Sequence, residues 1–215
     1  SIERNGHNLE FEVKRDFILY SSVQYQILQT NSGKNIGYIE LWIFDENSTE
    51  EFTKAAEALV AEDVDGILID LRNNPGGFME DAINIISLFT ATEKTATQLL
   101  FSDGSKEKFK TTGNGPLAEY ETVVLINEGS ASASEILAGA LKDYGTAKLV
   151  GTTSFGKGTV QQLSEYRDGS IFKYTISKWL TPNGTDINKE GIKPDIKVTN
   201  TGSTDTQLKK ALEQF

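Results

Sequence analysis

The sequence has no cysteine and only one histidine among its 215 residues. Without cysteine there is no thiol nucleophile, no disulfide and no thiolate ligand for a metal. The single histidine, His7, lies in a polar stretch that predicts a solvated turn. A Ser-His-Asp triad would have to use His7, so a serine activated in this chain is expected to use a lysine as its base.

Clusters of basic residues and long apolar runs are also absent. The net charge of −10, with no concentration of Lys and Arg, argues against nucleic acid or an anionic membrane as a partner. No apolar run approaches the length of about 20 residues that crosses a bilayer. No signal peptide is recognisable, although the chain opens in mid-pattern and leaves room for an upstream segment in a longer protein. The length and the 38% hydrophobic content indicate one large globular domain, or one with an appendage.

Residues 127–141 are expected to organise the fold. An apolar run over residues 122–126 predicts a buried strand, and apolar residues at helical spacing follow three serines. A turn of this kind holds a hydroxyl at a helix N-terminus, where free N–H groups and the helix dipole favour a developing negative charge. The structural alternative is a helix cap, because Ser132 and Glu135 fit a capping box, as do Ser48 and Glu51.

The remaining pattern predicts an α/β fold with a mixed β-sheet and flanking helices. Strands are predicted for residues 9–13, 23–28, 36–44, 66–71, 95–101, 106–110, 122–126, 147–150, 159–165, 170–180 and 196–198. Helices are predicted after Ser48, after Gly77, after the serine turn and over residues 204–215. Strands alternate with helices in the middle of the chain and form hairpins at its ends, which is the basis for the fold class.

Two glycine-containing stretches are candidate functional loops. Residues 72–77 join a buried strand to a helix and leave backbone N–H groups available, although a plain connection explains them equally well. Residues 151–157 fit the G-x-x-x-x-G-K frame of a phosphate-binding loop, but Gly158 stands where Ser or Thr is needed and a β-like stretch follows instead of a helix.

The other interpretations of Lys157 are a general base and a surface lysine in a glycine loop. A lysine accepts a proton only as the neutral amine, which burial or nearby positive charge favours. The flanking glycines permit close approach to another turn. Gln161 is a candidate to orient Lys157, provided that the chain curls at Gly158, because four residues of extended strand span about 13 Å.

Taken together, the motifs resemble those of the C-terminal processing peptidases, also called tail-specific proteases, which are serine peptidases with a Ser-Lys dyad. The resemblance extends over about residues 36–198 and rests on four motifs in order, at residues 70–77, 129–135, 154–161 and 181–195. It implies a ClpP/crotonase-like core that needs no metal or cofactor. It also implies proteins or peptides with unstructured C-termini as substrates, and an extracytoplasmic location.

Carried over residue by residue, the resemblance makes Ser132 the nucleophile, Lys157 the general base and Gln161 the residue that positions the lysine. The backbone N–H groups of Gly77 and Ala133 would form the oxyanion hole. A catalytically idle peptide-binding module on the same fold is the alternative.

Many members of this family carry a PDZ domain before the core, and residues 1–35 are too few for one. We therefore expect three parts: N-terminal strands over 1–35, at the junction of a removed or naturally absent PDZ domain, a Ser-Lys core over 36–200, and a docked amphipathic helix over 201–215. Assembly into a homo-oligomer is left open.

Overall fold

The computed structural model describes residues 1–12, 21–90, 93–113 and 115–215. The strands in these ranges are β1 (Ile2–Arg4), β2 (His7–Leu9), β3 (Val23–Gln29), β4 (Asn35–Leu41), β5 (Gly66–Asp70), β6 (Thr95–Phe101), β7 (Lys106–Lys110), β8 (Thr122–Ile126), β9 (Ala147–Gly151), β10 (Thr159–Glu165), β11 (Ile171–Leu180) and β12 (Ile196–Lys197). The helices are α1 (Ser48–Ala61), α2 (Met79–Ser87), α3 (Ala133–Asp143) and α4 (Thr206–Leu212).

A six-stranded mixed sheet forms the centre of the molecule, in the order β12-β9-β8-β5-β4-β3. Its first five strands are parallel and β3 is antiparallel to β4. Every residue of β5 and β8 is buried, as expected for parallel strands covered on both faces. The predicted fold class, α/β with a mixed sheet and flanking helices, is confirmed.

Helices cover both faces of this sheet. One face packs against α1, α2 and α3 in a core that contains Ile67 and Ile69 of β5, while the alternate residue Leu68 points to the other face. There it packs with Ala211 of α4. The alternation of side chains along a strand thus divides one apolar run between two layers.

A second sheet, antiparallel and ordered β10-β11-β6-β7, lies beside the first layer of helices. Both of its predicted hairpins are present, and Ile176 of β11 has no partner where the register shifts opposite Val160 and Gln161. Trp179 of β11 is buried, and its indole N–H donates to the carbonyl of Lys157 at 2.6 Å. This sheet therefore holds the loop that precedes β10.

Three local predictions need correction. Of the strand predicted over 9–13, the described residues 10–12 are outside any strand, and Leu9 ends the exposed β1–β2 hairpin instead. His7 begins β2 and does not lie in the turn. Of the stretch 9–16, which we expected to join a PDZ domain to the core, residues 13–16 lie outside the described residues. The strand predicted to reach Phe44 ends at Leu41.

The capping box predicted for α1 is also wrong. Ser48 is the first helical residue, and its hydroxyl donates to the carbonyl of Asp45 at 2.8 Å. Glu51 turns away to accept from the backbone N–H of Ser22 at 2.7 Å. Because Glu51 bonds to the segment beside α1, its carboxylate does not form the capping box with Ser48.

An ion-pair network joins α4 to the end of β5. Asp70 accepts from Tyr38 and from Arg72, and Arg72 reaches Asp205, the N-cap of α4, at 2.8 Å. Burial alone raises the pKa of the Asp205 carboxyl, but hydrogen bonds from Arg72 and Leu208 outweigh it and hold the pKa below its ordinary value.

The division into three parts at residues 35 and 200 stays a prediction, and β3 pairs with β4 along its full length.

We expect Asp205 to contribute a pH-dependent part of stability. Because its folded-state pKa is lowered, the contribution is present above the unfolded pKa of about 3.9 and is lost as the pH falls through the folded value. Asp205→Asn keeps an N-cap oxygen but cannot titrate. The difference in unfolding free energy between the two proteins, measured in urea, should be constant above about pH 5 and shrink below about pH 4. A difference that does not change between pH 6 and pH 2.5 would contradict this.

Candidate active site

Ser132 occupies a strained turn between β8 and α3. Its backbone angles, φ 57° and ψ −116°, are those of the first central residue of a type II′ turn, where glycine is the usual residue. For any residue with a side chain such a conformation costs about 1–3 kcal/mol. The carboxylate of Glu135 accepts from the backbone N–H of Ser132 at 2.9 Å, which confirms the glutamate half of the predicted capping box.

The two neighbouring serines are used to build this turn. Ser130 donates its hydroxyl to the carbonyl of Leu71 at 2.7 Å, and Ser134 donates to the carbonyl of Asn74 at 3.0 Å. Both serines are fully buried, whereas Ser132 is half-buried and lines a cavity. Of the three serines, the structure therefore presents Ser132 to an incoming group.

Residues 72–77 pack directly on the serine turn. The buried side chain of Asn74 donates to the carbonyl of Leu41 at 2.7 Å, and its Oδ1 accepts from Gly76 at 2.9 Å. Its carbonyl accepts from Ala131 at 3.0 Å. A Cβ on Gly76 would lie 2.7 Å from the Cβ of Ser132, so this close approach requires glycine.

Gly77 is fixed from its other side by Phe44. The backbone of Phe44 donates to Gly76 and accepts from Phe78, an isolated parallel bridge that leaves the N–H of Gly77 unused. Among the described residues no protein acceptor is bonded to the N–H of Gly77 or of Ala133. Gly77 is exposed and lines a cavity, whereas Ala133 is fully buried and is not among the residues that line it.

The backbone of Lys157 is held at both ends. Its N–H donates to Glu135 at 2.9 Å and its carbonyl accepts from Trp179 at 2.6 Å. Its glycine neighbours pack closely, since a Cβ on Gly158 would lie 2.6 Å from that of Asn188. The Nζ makes no hydrogen bond or ion pair within the part of the chain that the structure describes.

One cavity of 310 Å³ is lined by four of the predicted site residues, Ser132, Lys157, Gln161 and Gly77. Its other lining residues are Met79, Ile136, Thr159, Val160, Leu163, Lys173 and Trp179. Gln161 faces this cavity from β10, and no hydrogen bond joins it to Lys157 in the described structure. The two side chains therefore face the same space without a hydrogen bond between them, and the role of Gln161 stays a prediction.

The phosphate-loop interpretation is not supported by this geometry. Lys157 is followed by strand β10 and not by a helix, so no helix dipole points at a phosphate bound there. The described residues contain no group of three or more His, Cys, Asp or Glu side chains arranged to hold a metal ion. No described helix has the length and apolar composition needed to cross a membrane.

Several residues that shape the site escaped the sequence analysis. Phe44 and Trp179 act through backbone and indole bonds from outside the motifs, so their spacing in the sequence carries no signal. Asn74 lies within a recognised motif, and an asparagine followed by proline and two glycines indicates a fixed turn. Its bonds to two other loops depend on the tertiary fold.

Comparison with known proteins identifies the family. The model of peptidase family S41 matches residues 35–198 of the chain. The chain belongs to peptidase family S41. The resemblance to C-terminal processing peptidases inferred from the motifs is thereby confirmed.

Curated relatives of the chain include the carboxy-terminal processing proteases CtpA and CtpB of Bacillus subtilis. CtpA is 43% identical over 190 residues, which are 88% of this chain and 40% of CtpA. CtpB is 41% identical over 199 residues, 92% of this chain and 41% of CtpB. The chain thus spans about two fifths of the length of these curated relatives.

Solved structures agree with this family assignment. The photosystem II D1 C-terminal processing protease superposes with a TM-score of 0.79 at 31% identity, over 85% of this chain and 49% of that chain. A putative S41 protease from Bacteroides fragilis gives a TM-score of 0.77 at 18% identity, over 92% of this chain and 58% of its own, and shares the fold.

The strain at Ser132 predicts an unusual order of stability among its variants. Glycine adopts the observed angles without a Cβ clash. The free energy of unfolding of Ser132→Gly should therefore exceed that of Ser132→Ala by about 1 kcal/mol. Urea denaturation at pH 7 measures the difference. At Ser170, which is outside the left-handed region, the same pair of substitutions should show no such advantage for glycine. An alanine variant at Ser132 as stable as the glycine variant would argue against strain.

Proposed function

We propose that this chain is the catalytic part of a serine endopeptidase that hydrolyses peptide bonds near protein C-termini. The observation that carries the proposal is that the Ser132 hydroxyl, the side chain of Lys157 and the turn of Gly77 share one cavity. A serine on a strained turn before a helix, with two unused backbone N–H groups nearby, is an arrangement suited to acyl transfer.

In the proposed reaction, the neutral amine of Lys157 removes the proton of the Ser132 hydroxyl as its oxygen attacks the peptide carbonyl. The N–H groups of Gly77 and Ala133 then bind the oxyanion. The protonated lysine gives its proton to the leaving amine, and an acyl-enzyme on Ser132 remains. Water activated by Lys157 hydrolyses this ester and restores both groups. Gln161 is proposed to position Lys157 across the cavity during these steps.

The surroundings of the cavity suit an extended peptide. Met79, Ile136, Val160 and Trp179 supply apolar surface beside Ser132. Strand β10 is at the edge of its sheet, so its outer backbone groups can pair with a substrate strand. The relatives named carboxy-terminal processing proteases support cleavage near C-termini, and an extracytoplasmic location belongs to the same proposal.

Removal of the nucleophile or the base should abolish cleavage of an unfolded protein such as casein. Ser132→Ala lacks the attacking oxygen, and Lys157→Arg carries a guanidinium that stays protonated near neutral pH. We expect both variants to lose at least a thousandfold in kcat/KM, about 4 kcal/mol of transition-state stabilisation. Gel analysis and a fluorescent casein assay measure the loss.

Lys148→Arg is the matched control, because Lys148 is an exposed lysine of β9 outside the cavity and should tolerate the change. Cleavage by Lys157→Arg at the wild-type rate would exclude the lysine base. Peptide binding without turnover by the wild type would favour the idle binding module.

The oxyanion role of the glycine turn predicts a sharp effect of Gly77→Ala. A Cβ at this position would lie 1.9 Å from the carbonyl oxygen of Phe44, so the turn must shift and carry its N–H away from Ser132. Loss of one such donor costs about a hundred- to a thousandfold in kcat. Gly33→Ala is the control, because Gly33 also has a positive φ but open space around it. Equal kcat values for the two variants would remove Gly77 from the mechanism.

A further inference from the structure

The buried carboxylate of Glu135 is not used by the proposed reaction, yet it touches both catalytic loops. Glu135 is fully buried in the first turn of α3. One oxygen, Oε2, accepts from the backbone N–H groups of Ser132 and Lys157, each at 2.9 Å. The other, Oε1, accepts from Gly156 at 2.7 Å and from the hydroxyl of Ser154 at 2.5 Å.

This arrangement sets the spacing of the two loops directly. Two bonds that meet at one oxygen hold the backbone nitrogens of Ser132 and Lys157 no further apart than twice 2.9 Å. A carboxylate has about four acceptor positions, and four donors fill them. All four donors are neutral, and no described cation forms an ion pair with Glu135. A purely stabilising ion pair is therefore not the role of this residue.

The donor set also requires two acceptor oxygens. A glutamine would keep its oxygen on Ser132 and Lys157 only by turning its NH₂ toward the N–H of Gly156, so two donors would face each other. In the reverse orientation, the NH₂ would face the backbone N–H groups of both Ser132 and Lys157. Either choice leaves a buried donor unsatisfied and displaces one loop from the other.

We propose that Glu135 is a positioning residue, which holds the nucleophile turn and the base loop in register through their backbones. This inference rests on the proposed function, because the distance between Ser132 and Lys157 affects the rate only if the two residues react together. Ser154 extends the support, since its hydroxyl accepts from the N–H of Ile192 at 2.6 Å and ties the base loop to the segment behind it. A displacement of about 1 Å between reacting groups can cost a hundredfold in rate.

The test compares Glu135→Gln with the wild type in casein cleavage. We expect kcat to fall about a hundredfold while KM stays within about threefold, because the apolar lining of the cleft is unchanged. Amide hydrogen exchange at Ser132 and Lys157, followed by NMR, should become faster in the variant. Ser87→Ala, which loses one hydrogen bond within α2 and one from the backbone N–H of Thr112, should be destabilised without a change in kcat.

Glu135→Asp is the second variant, since it keeps the charge and shortens the reach by one methylene. The kcat of Glu135→Asp should also fall below that of the wild type. This variant can still be measured if Glu135→Gln does not fold. A wild-type kcat in either folded variant overturns the positioning role and leaves the Ser-Lys proposal intact. If the wild-type protein cleaves no more casein than Ser132→Ala does, the proposed function is overturned and this inference with it.

Discussion

The site depends on the parallel direction of four adjacent strands. Because β4, β5, β8 and β9 run the same way, the segments that leave their carboxyl ends meet at one edge of the sheet. Those segments contain Phe44, Gly77, Ser132 and Lys157, in that order along the chain. Residues separated by more than a hundred positions thus come together without any dedicated linker. The antiparallel β10–β11 hairpin then closes one side of the cavity.

Close backbone approach is the second constraint, and it explains the glycines of these segments better than flexibility does. Gly76 meets the serine turn, Gly77 meets Phe44, and Gly158 meets Asn188, each at distances that exclude a Cβ. Glycines in the exposed hairpin turns, such as Gly104 and Gly169, have open space around them and serve only their positive φ. Similar glycine-containing sequences therefore have different physical reasons, which only the packing distinguishes.

Regular elements could be predicted from the sequence because apolar periodicity is a local signal. The family resemblance of the motifs pointed to four of the eleven residues that line the cavity, namely Gly77, Ser132, Lys157 and Gln161. The predicted hairpins and the buried strands β5 and β8 have nearly their predicted bounds. The predictions at 9–13 and at Phe44 were wrong because pairing partners, not propensity, decided where those strands end. The roles of Phe44 and Trp179 in the site could not be predicted, since both act across long separations in sequence.

The two Ser-x-x-Glu sequences show most clearly where local reasoning stops. Both fit the same helix-start motif, yet Glu51 bonds to the strand beside α1 whereas Glu135 bonds back to Ser132. The difference is in what else each glutamate can reach: Glu51 is near one strand end, and Glu135 is enclosed by the base loop. At Ser132 the capping bond and the strained turn are parts of one arrangement, because the glutamate that satisfies the N–H of the serine also binds that of Lys157. A motif that is structural by its local geometry therefore joins the two catalytic candidates through a single side chain.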